Sequence, residues 1–478
     1  MSENGPALQR SLSSFDVTNI TVGAIVGADI YVASAITASM LGPASLIAWV
    51  VAGGLATIIA LTLAECARLC PEVGGPYAYT ARAFGPFPGF LAGWSMWIAE
   101  LTALPVFAIA FTNYLGAFVT LSNAEVHLVR LAFLALLTAI NVASVRLAGR
   151  VNDALTLLKL APLVALVLGA AIYAVVHGGE VGARLDPFAP FGFERFPEAL
   201  TLIVWAYMGF ELSTVPAGEV ANPGKTIPRA MVLGMAIVTV FYLTTNLAVY
   251  ALVGTDELAA SQTPLRDAAT VVFGGVGAAL MTAGAMVSVS GSNESDMLGA
   301  SRLSFAMAAD GLLPHRLASI HPRFRTPWLA LIVQAAIAMA LTFVDALPGL
   351  ISFAVVNLMV SFLLSAFALL RLRRGHPRPR ALHRALPYLA IVVCVGLLSA
   401  LSLQNLAQGV AVLAIGTVVF LASSPRQPLP EVLDTITDRE RVLARLARRR
   451  MRFLGGAVGM LAGHRTPPRR RAHDRRGA

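Results

Sequence analysis

Charged residues are scarce in this chain. They make up 13% of its 478 residues, whereas soluble domains carry roughly 25%. Hydrophobic residues make up 57%, and the mean hydropathy is +0.72. So little charge argues against an ordinary soluble protein and predicts a polytopic membrane protein.

Cysteine and histidine are also rare. The three cysteines, Cys66, Cys70 and Cys394, lie in or at the ends of apolar stretches, so we expect no disulfide. Cys66 and Cys70 could share a helix face, but no second pair or nearby histidine completes a metal site. The histidines fall in connections, helix ends or the tail, and no catalytic group can be assembled around them. We therefore expect no enzyme activity, no metal and no cofactor.

Apolar stretches long enough to cross a bilayer, about 20 residues each, recur along the chain. They cover residues 14–40, 43–68, 88–118, 126–146, 151–176, 197–217, 228–253, 270–308, 327–345, 348–371, 386–404 and 406–423. The polar segment 1–13 precedes the first stretch, which is too long for the core of a signal peptide. We predict an all-α integral membrane protein with about twelve transmembrane helices.

Arginines are distributed unevenly between the connections. If the N-terminus lies inside, the cytoplasmic connections carry Arg68, Arg82, Arg146, Arg150, Lys225, Arg229, Arg316, Arg323, Arg325 and the segment 371–384. The opposite connections carry only Arg130, Arg184, Arg195 and Arg266. This asymmetry follows the positive-inside rule, so we expect both termini to be cytoplasmic in a cell membrane, inner or plasma.

The C-terminal tail, residues 424–478, carries most of the net charge of +10. It holds 14 arginines against five acids, a net of +9, which leaves the rest of the chain nearly neutral. Apolar residues at roughly helical spacing among the arginines are typical of a surface helix on anionic lipid. A disordered basic tail that reinforces topology remains the alternative. We expect no nucleic-acid binding, because the basic run at 469–471 has no aromatic residues around it.

Two of the stretches contain glycine and a carboxylate in the middle of the span. The first has Gly23, Gly27 and Asp29, and the sixth has Gly209 and Glu211. Glycine weakens a helix by about 1 kcal/mol, and a charge inside the membrane costs at least about 2.5 kcal/mol. Broken helices five spans apart indicate two inverted repeats of five helices.

That organisation predicts five segments. They are a cytoplasmic N-terminus at 1–13, a first repeat at 14–176, a second at 177–371, two accessory helices at 372–423 and the tail at 424–478. The last two helices suggest an accessory or dimer-forming role, and the oligomeric state stays open. 

Several motifs along the chain resemble the amino acid permeases of the amino acid, polyamine and organocation superfamily. They are VGADIY at 26–31, LGPA at 41–44, PEVGGPY at 71–77, WAYMGFE at 205–211, EVANPGKTIPR at 219–229, ASR at 300–302 and AADGLLP at 308–314. Each motif alone is weak, but together they cover roughly residues 15 to 330. The resemblance implies a leucine-transporter-type fold with helices 1 and 6 broken.

The resemblance also implies a substrate site at the two breaks. Its residues are Ile25, Val26, Gly27, Ala28, Asp29, Trp205, Ala206, Tyr207, Met208 and Gly209. In the family, N–H groups of the first break bind the substrate carboxylate, here those of residues 27–29. Carbonyls of the second break bind the ammonium group, here those of Trp205, Ala206 and Met208, and Trp205 matches an aromatic gate over the substrate.

Lys159 is the candidate for ion coupling. The chain has 36 basic side chains, and only Lys159 and Lys225 are lysines. A buried lysine can lose its proton, whereas arginine stays charged, so a lysine in mid-span suggests proton coupling. A lysine that snorkels to the cytoplasmic face is the alternative. In the family, a lysine here stands where sodium-driven relatives bind sodium, which favours proton coupling or exchange.

Acidic residues depart from the family pattern. The family usually has a small residue where Asp29 stands, and uncharged residues are expected where Glu294 and Asp296 stand. Together with Glu211 and Glu100, these acids form either a proton-relay or structural network with Lys159, or a site that selects a cationic substrate. We expect the network for Glu294 and Asp296, and leave both possibilities open for Asp29. Lys159, Glu211, Glu294 and Asp296 are thus the predicted coupling residues.

These features predict a secondary transporter that moves amino acids or related amines by alternating access, without sodium. A transporter of basic amino acids or polyamines selected by Asp29 is one alternative. A transporter-like nutrient sensor that signals through the tail is another. A channel is disfavoured, because the polar residues gather at two breaks and do not line a path.

Overall fold

The computed structural model describes residues 13–72, 74–143, 145–214, 220, 222–344, 347–374 and 381–423. The predicted N-terminal segment, apart from residue 13, and the basic tail lie outside these residues. The described part is helical, with sixteen α-helices joined by short turns and 3-10 segments. The helices are α1 Ser14–Ile25, α2 Ala28–Leu41, α3 Ser45–Leu69, α4 Pro76–Phe84, α5 Pro86–Leu115, α6 Asn123–Ala143, α7 Val145–Val176, α8 Gly178–Arg184, α9 Phe196–Ala206, α10 Pro223–Leu252, α11 Thr255–Ala260, α12 Pro264–Ala309, α13 Trp328–Leu341, α14 Leu347–Leu372, α15 Ala381–Ser399 and α16 Leu403–Ser423.

Each apolar stretch of the sequence coincides with a helix or with a pair of shorter helices. Among the described residues, eight helical segments are long and apolar enough to cross a membrane, and two shorter apolar helices, Trp328–Leu341 and His383–Ser399, accompany them. The first predicted span is divided into α1 and α2, and the sixth is reduced to α9 with a 3-10 segment after it. The all-helical class is confirmed, while the total of twelve spans and the five-plus-five repeat stay predictions.

The first break separates α1 from α2 at Val26 and Gly27. Gly27 has φ −130° and ψ −143°, which is not helical. A side chain there would collide with α12, because a Cβ atom on Gly27 would lie 2.5 Å from the Ser292 hydroxyl oxygen. The chain therefore has a glycine where the interrupted backbone touches a neighbouring helix.

The second break follows α9 and touches the first. Gly209 has a φ of +108°, which side chains rarely allow, and the chain then enters a 3-10 segment at Phe210–Thr214. A Cβ atom on Gly209 would lie 2.8 Å from the carbonyl carbon of Ala24. The two interrupted backbones are thus in direct contact in the interior.

The helices differ in how much of their surface is buried. α5 is buried along most of its length and packs against α12 and α14, which places it in the core beside the breaks. Outer helices expose large apolar side chains, such as Ile172 at 68%, Val392 at 69% and Val418 at 66%. Such exposed apolar surface fits contact with lipid acyl chains.

Candidate functional site

A small cavity of ≈ 30 Å³ lies between the two breaks and α5, α12 and α14. Four carboxylic acids line it: Asp29, Glu100, Glu211 and Asp296. Its free volume holds one or two water molecules. A solute the size of an amino acid can therefore enter only when the surrounding helices move apart.

The C-terminal end of α1 is held by two polar side chains. The Lys159 ammonium group donates a hydrogen bond of 2.5 Å to the carbonyl of Gly23, and the Tyr242 hydroxyl donates one of 2.8 Å to the carbonyl of Ile25. A cation is favourable there, because the last carbonyls of a helix carry partial negative charge. Lys159 reaches this carbonyl from α7, which fixes α1 to that helix.

Lys159 does not extend to the membrane surface. Its side chain is fully buried, and it forms no ion pair with any acid of the described residues within 4.0 Å. Asp29 and Asp296 are the acids whose charges act on it. The structure therefore gives Lys159 a carbonyl partner with two acids nearby, which disfavours the snorkelling alternative.

Asp29 occupies the first turn of α2, on the other side of the break. No side chain caps Gly27, the residue before this helix. The Asp29 carboxylate lies beside the break, since a Cβ atom on Gly27 would lie 3.0 Å from its Oδ2 oxygen. A negative group is favourable here because the first N–H groups of a helix are unpaired and carry partial positive charge.

The second break presents Trp205, Met208 and Gly209 to the cavity. The Gly209 N–H donates a 3.0 Å hydrogen bond to the Glu211 carboxylate, so this acid stabilises the interrupted backbone. The Trp205 carbonyl, a predicted ligand of the substrate ammonium, accepts a 2.9 Å hydrogen bond from the Met208 N–H.

Tyr207 points away from the cavity. Its hydroxyl donates a 3.0 Å hydrogen bond to the Trp49 carbonyl, and its ring packs against the rings of Trp49 and Tyr242. Ala206 is buried but does not line the cavity. These two residues shape the break from behind.

Glu294 and Asp296 lie on different sides of α12. Residues two apart on a helix are about 200° apart around its axis. Asp296 lines the cavity, whereas Glu294 is fully buried and accepts a 2.7 Å hydrogen bond from the Asn141 amide on α6. The predicted coupling residues are therefore not in one cluster.

Four predicted residues, Ile25, Val26, Gly27 and Ala28, form the backbone of the first break. Val26 and Gly27 approach α12, where the Ser292 hydroxyl oxygen lies 3.4 Å from the Val26 carbonyl oxygen. Tyr242 was not predicted from the sequence. A tyrosine in an apolar stretch resembles any other core aromatic, so no local signal identifies it.

Comparisons with known proteins identify the family of this chain. The family model described as amino acid permease matches residues 12–424. An uncharacterized transporter of Mycobacterium tuberculosis is 31% identical over 413 residues, which covers 86% of this chain and 91% of the relative. The methylthioribose transporter of Bacillus subtilis is 27% identical over 450 residues, which covers 88% and 95%.

A third relative carries an amino acid in its name. The branched-chain amino acid permease BcaP of Bacillus subtilis is 27% identical over 450 residues, covering 87% of this chain and 94% of the relative. The family is one of transporters, not enzymes, and it implies a leucine-transporter-type fold. The resemblance seen in the motifs is thereby confirmed: the chain is a multi-pass membrane transporter that belongs to the amino acid permease family.

Proposed function

We propose that this permease moves amino acids or related amines by alternating access around the cavity between its two breaks, driven by protons or by exchange and independent of sodium. We place it in the inner or plasma membrane with both termini cytoplasmic. In this proposal the chain has about twelve spans and two inverted repeats. The helices α1 and α2 belong to the first repeat, and α9 with the segment after it belongs to the second. The basic tail would contact anionic lipid.

The hydrogen bond from Lys159 to Gly23 is the observation that carries the coupling proposal. A protonated lysine fixes the end of α1, because the ammonium group satisfies a carbonyl that has lost its helical partner. When the lysine loses its proton, the charge that holds α1 disappears and a weaker neutral donor remains. The first break is then freer to move relative to α7, which couples proton release to a change of conformation.

The same contact argues against a sodium ion at this position. Sodium would need oxygen ligands such as the Gly23 carbonyl, and that carbonyl already binds an ammonium group at 2.5 Å. A second cation beside Lys159 would meet a like charge in a medium of low dielectric constant. This arrangement supports the proposal that transport is independent of sodium.

Proteoliposomes free of sodium test the coupling. Uptake of labelled leucine, lysine and cadaverine is measured under an inward proton gradient, and exchange is measured with unlabelled solute inside and no gradient. We expect wild-type protein to concentrate one of these solutes, and a protonophore to abolish the accumulation.

Substitutions at the two lysines separate binding from coupling. Lys159→Arg keeps the charge and the donor, so exchange continues, but gradient-driven accumulation falls at least about tenfold because arginine does not release its proton. Lys225→Met is the matched control, since Lys225 is exposed and is the only other lysine. Full proton-driven accumulation by Lys159→Arg, or a requirement for sodium in wild type, would contradict the proposal.

A further inference from the structure

Four acidic side chains line the central cavity, and two of them have no partner of their own in the described part of the chain. Glu100 and Asp296 line it at 5% and 6% exposure, and no donor among the described residues forms a hydrogen bond with either carboxylate. Buried carboxylates normally have such partners, because an unpaired charge in the interior is costly. The two acids are therefore available to a ligand or to protons.

Acidic groups outnumber basic groups near the cavity. Asp29, Glu100, Glu211 and Asp296 face one basic side chain, Lys159, which donates a hydrogen bond to the Gly23 carbonyl and forms no ion pair with any of them within 4.0 Å. A zwitterionic amino acid would add no net charge, and its carboxylate would enter a space already lined by four acids. An amine without a carboxylate would add one or two positive charges.

A carboxyl group of the protein lies beside the position predicted to bind a substrate carboxylate. Asp29 places its carboxylate on the first turn of α2, beside Gly27. A substrate carboxylate bound to the N–H groups of residues 27–29 would lie next to the Asp29 carboxylate. Repulsion between like charges in a desolvated site strongly disfavours that arrangement.

Most of the remaining wall of the cavity is apolar. It includes Ala99, Ala103, Phe107, Ala354 and Leu358. These side chains suit a hydrocarbon chain and offer no hydrogen-bond donor to a substrate carboxylate. A metal ion is a poor candidate, because no group of three or more acidic, histidine or cysteine side chains in the described residues could hold one. The cavity thus combines acids for an ammonium group with a surface for an alkyl chain.

From these observations we infer that the preferred cargo is a carboxylate-free amine, whose ammonium group binds Asp29 and the unpaired acids of the cavity. The inference rests on the proposed function, because it assumes that this cavity is the transport site. It specifies the class of cargo for that function and predicts that the site rejects the α-carboxylate of an amino acid.

Pairs of solutes that differ only by the α-carboxylate test the inference. Lysine is compared with cadaverine, and leucine with 3-methylbutylamine, by initial uptake into sodium-free proteoliposomes. Protein-free vesicles give the passive entry of each amine. We expect wild-type protein to take up each amine at least about tenfold better than its amino acid, the discrimination expected from a hydrogen-bonded charge pair.

Asp29→Asn shows whether Asp29 makes this choice. Asparagine keeps the size and the capacity to cap a helix but removes the charge, so the preference for each amine should fall at least about tenfold. Asp256→Asn is the control, because Asp256 is an exposed acid on α11 away from the cavity, and it should keep the wild-type preference. Binding can also be measured without a variant. The thermal unfolding of wild-type protein is compared with and without cadaverine, and with and without lysine.

The outcomes separate the inference from the function on which it rests. If wild type moves lysine or leucine as well as the matching amine, or if Asp29→Asn folds and keeps the full preference, the inference is overturned and transport remains. If folded wild-type protein neither moves nor binds any of the four solutes, the proposed function fails, and the inference fails with it.

Discussion

Gly209→Ala should weaken the contact between the two breaks. The φ of +108° at this position costs a residue with a side chain about 1–3 kcal/mol. The new Cβ atom would also lie 2.8 Å from the Ala24 carbonyl carbon, and overpacking against backbone costs a further 1–3 kcal/mol or so. We therefore expect a total loss of about 2–6 kcal/mol in the free energy of unfolding.

A matched glycine isolates the contribution of the contact. Gly85 has a φ of +94°, but a Cβ atom there would meet nothing within 4 Å, so Gly85→Ala should cost only the conformational part. Unfolding of both variants is measured in mixed detergent micelles, and uptake is measured in proteoliposomes. Gly209→Ala should lose more stability and more uptake than Gly85→Ala. Equal losses of stability would refute the conclusion that the two breaks touch in the folded protein.

Three smaller changes probe other contacts. Tyr242→Phe leaves the Ile25 carbonyl without its hydroxyl donor and should cost about 1–3 kcal/mol of unfolding free energy, measured in mixed micelles; no loss would mean that Tyr242 does not hold α1. Glu294→Gln should keep cargo binding in a competition assay, because Glu294 faces Asn141 and not the cavity; loss of binding with intact folding would contradict this geometry. Burial raises the pKa of the Cys70 thiol to about 11. Maleimide labelling of Cys70 should therefore stay slow at pH 7–8 and accelerate as pH approaches 11, where the thiolate forms. Fast labelling at pH 7 would contradict the raised pKa.

The positions of the breaks could be predicted from the sequence because their cause is local. Gly27 and Gly209 stand in apolar stretches where a glycine and an acid both oppose a continuous helix. The structure interrupts the helices at Val26 and Gly27 and again between Tyr207 and Gly209. The burial of Lys159 could be predicted for a similar reason, since a lone lysine in the middle of a span needs a buried partner.

The grouping of the acids could not be predicted, because it depends on how helices face one another. Asp296 and Glu294 are neighbours in the sequence, and helical periodicity separates them without saying which one faces the cavity. Glu100 reaches the cavity only because α5 lies against α12 and α14. Tertiary packing decides which buried acids line the same cavity, and that packing could not be inferred from the sequence alone.

The first break carries a charge of the protein at each of its two helix ends. Lys159 binds the carbonyl end of α1, and Asp29 lies in the first turn of α2, so each group has the sign that the nearby helix end favours. The carboxylate of a zwitterionic cargo would have to lie beside Asp29, whereas an amine can bind Asp29 where it is. A bound amine and the Lys159 ammonium then share the same nearby acids, Asp29 and Asp296. Binding of a cationic cargo therefore favours release of the Lys159 proton, which joins the choice of cargo to the coupling proposed for this transporter.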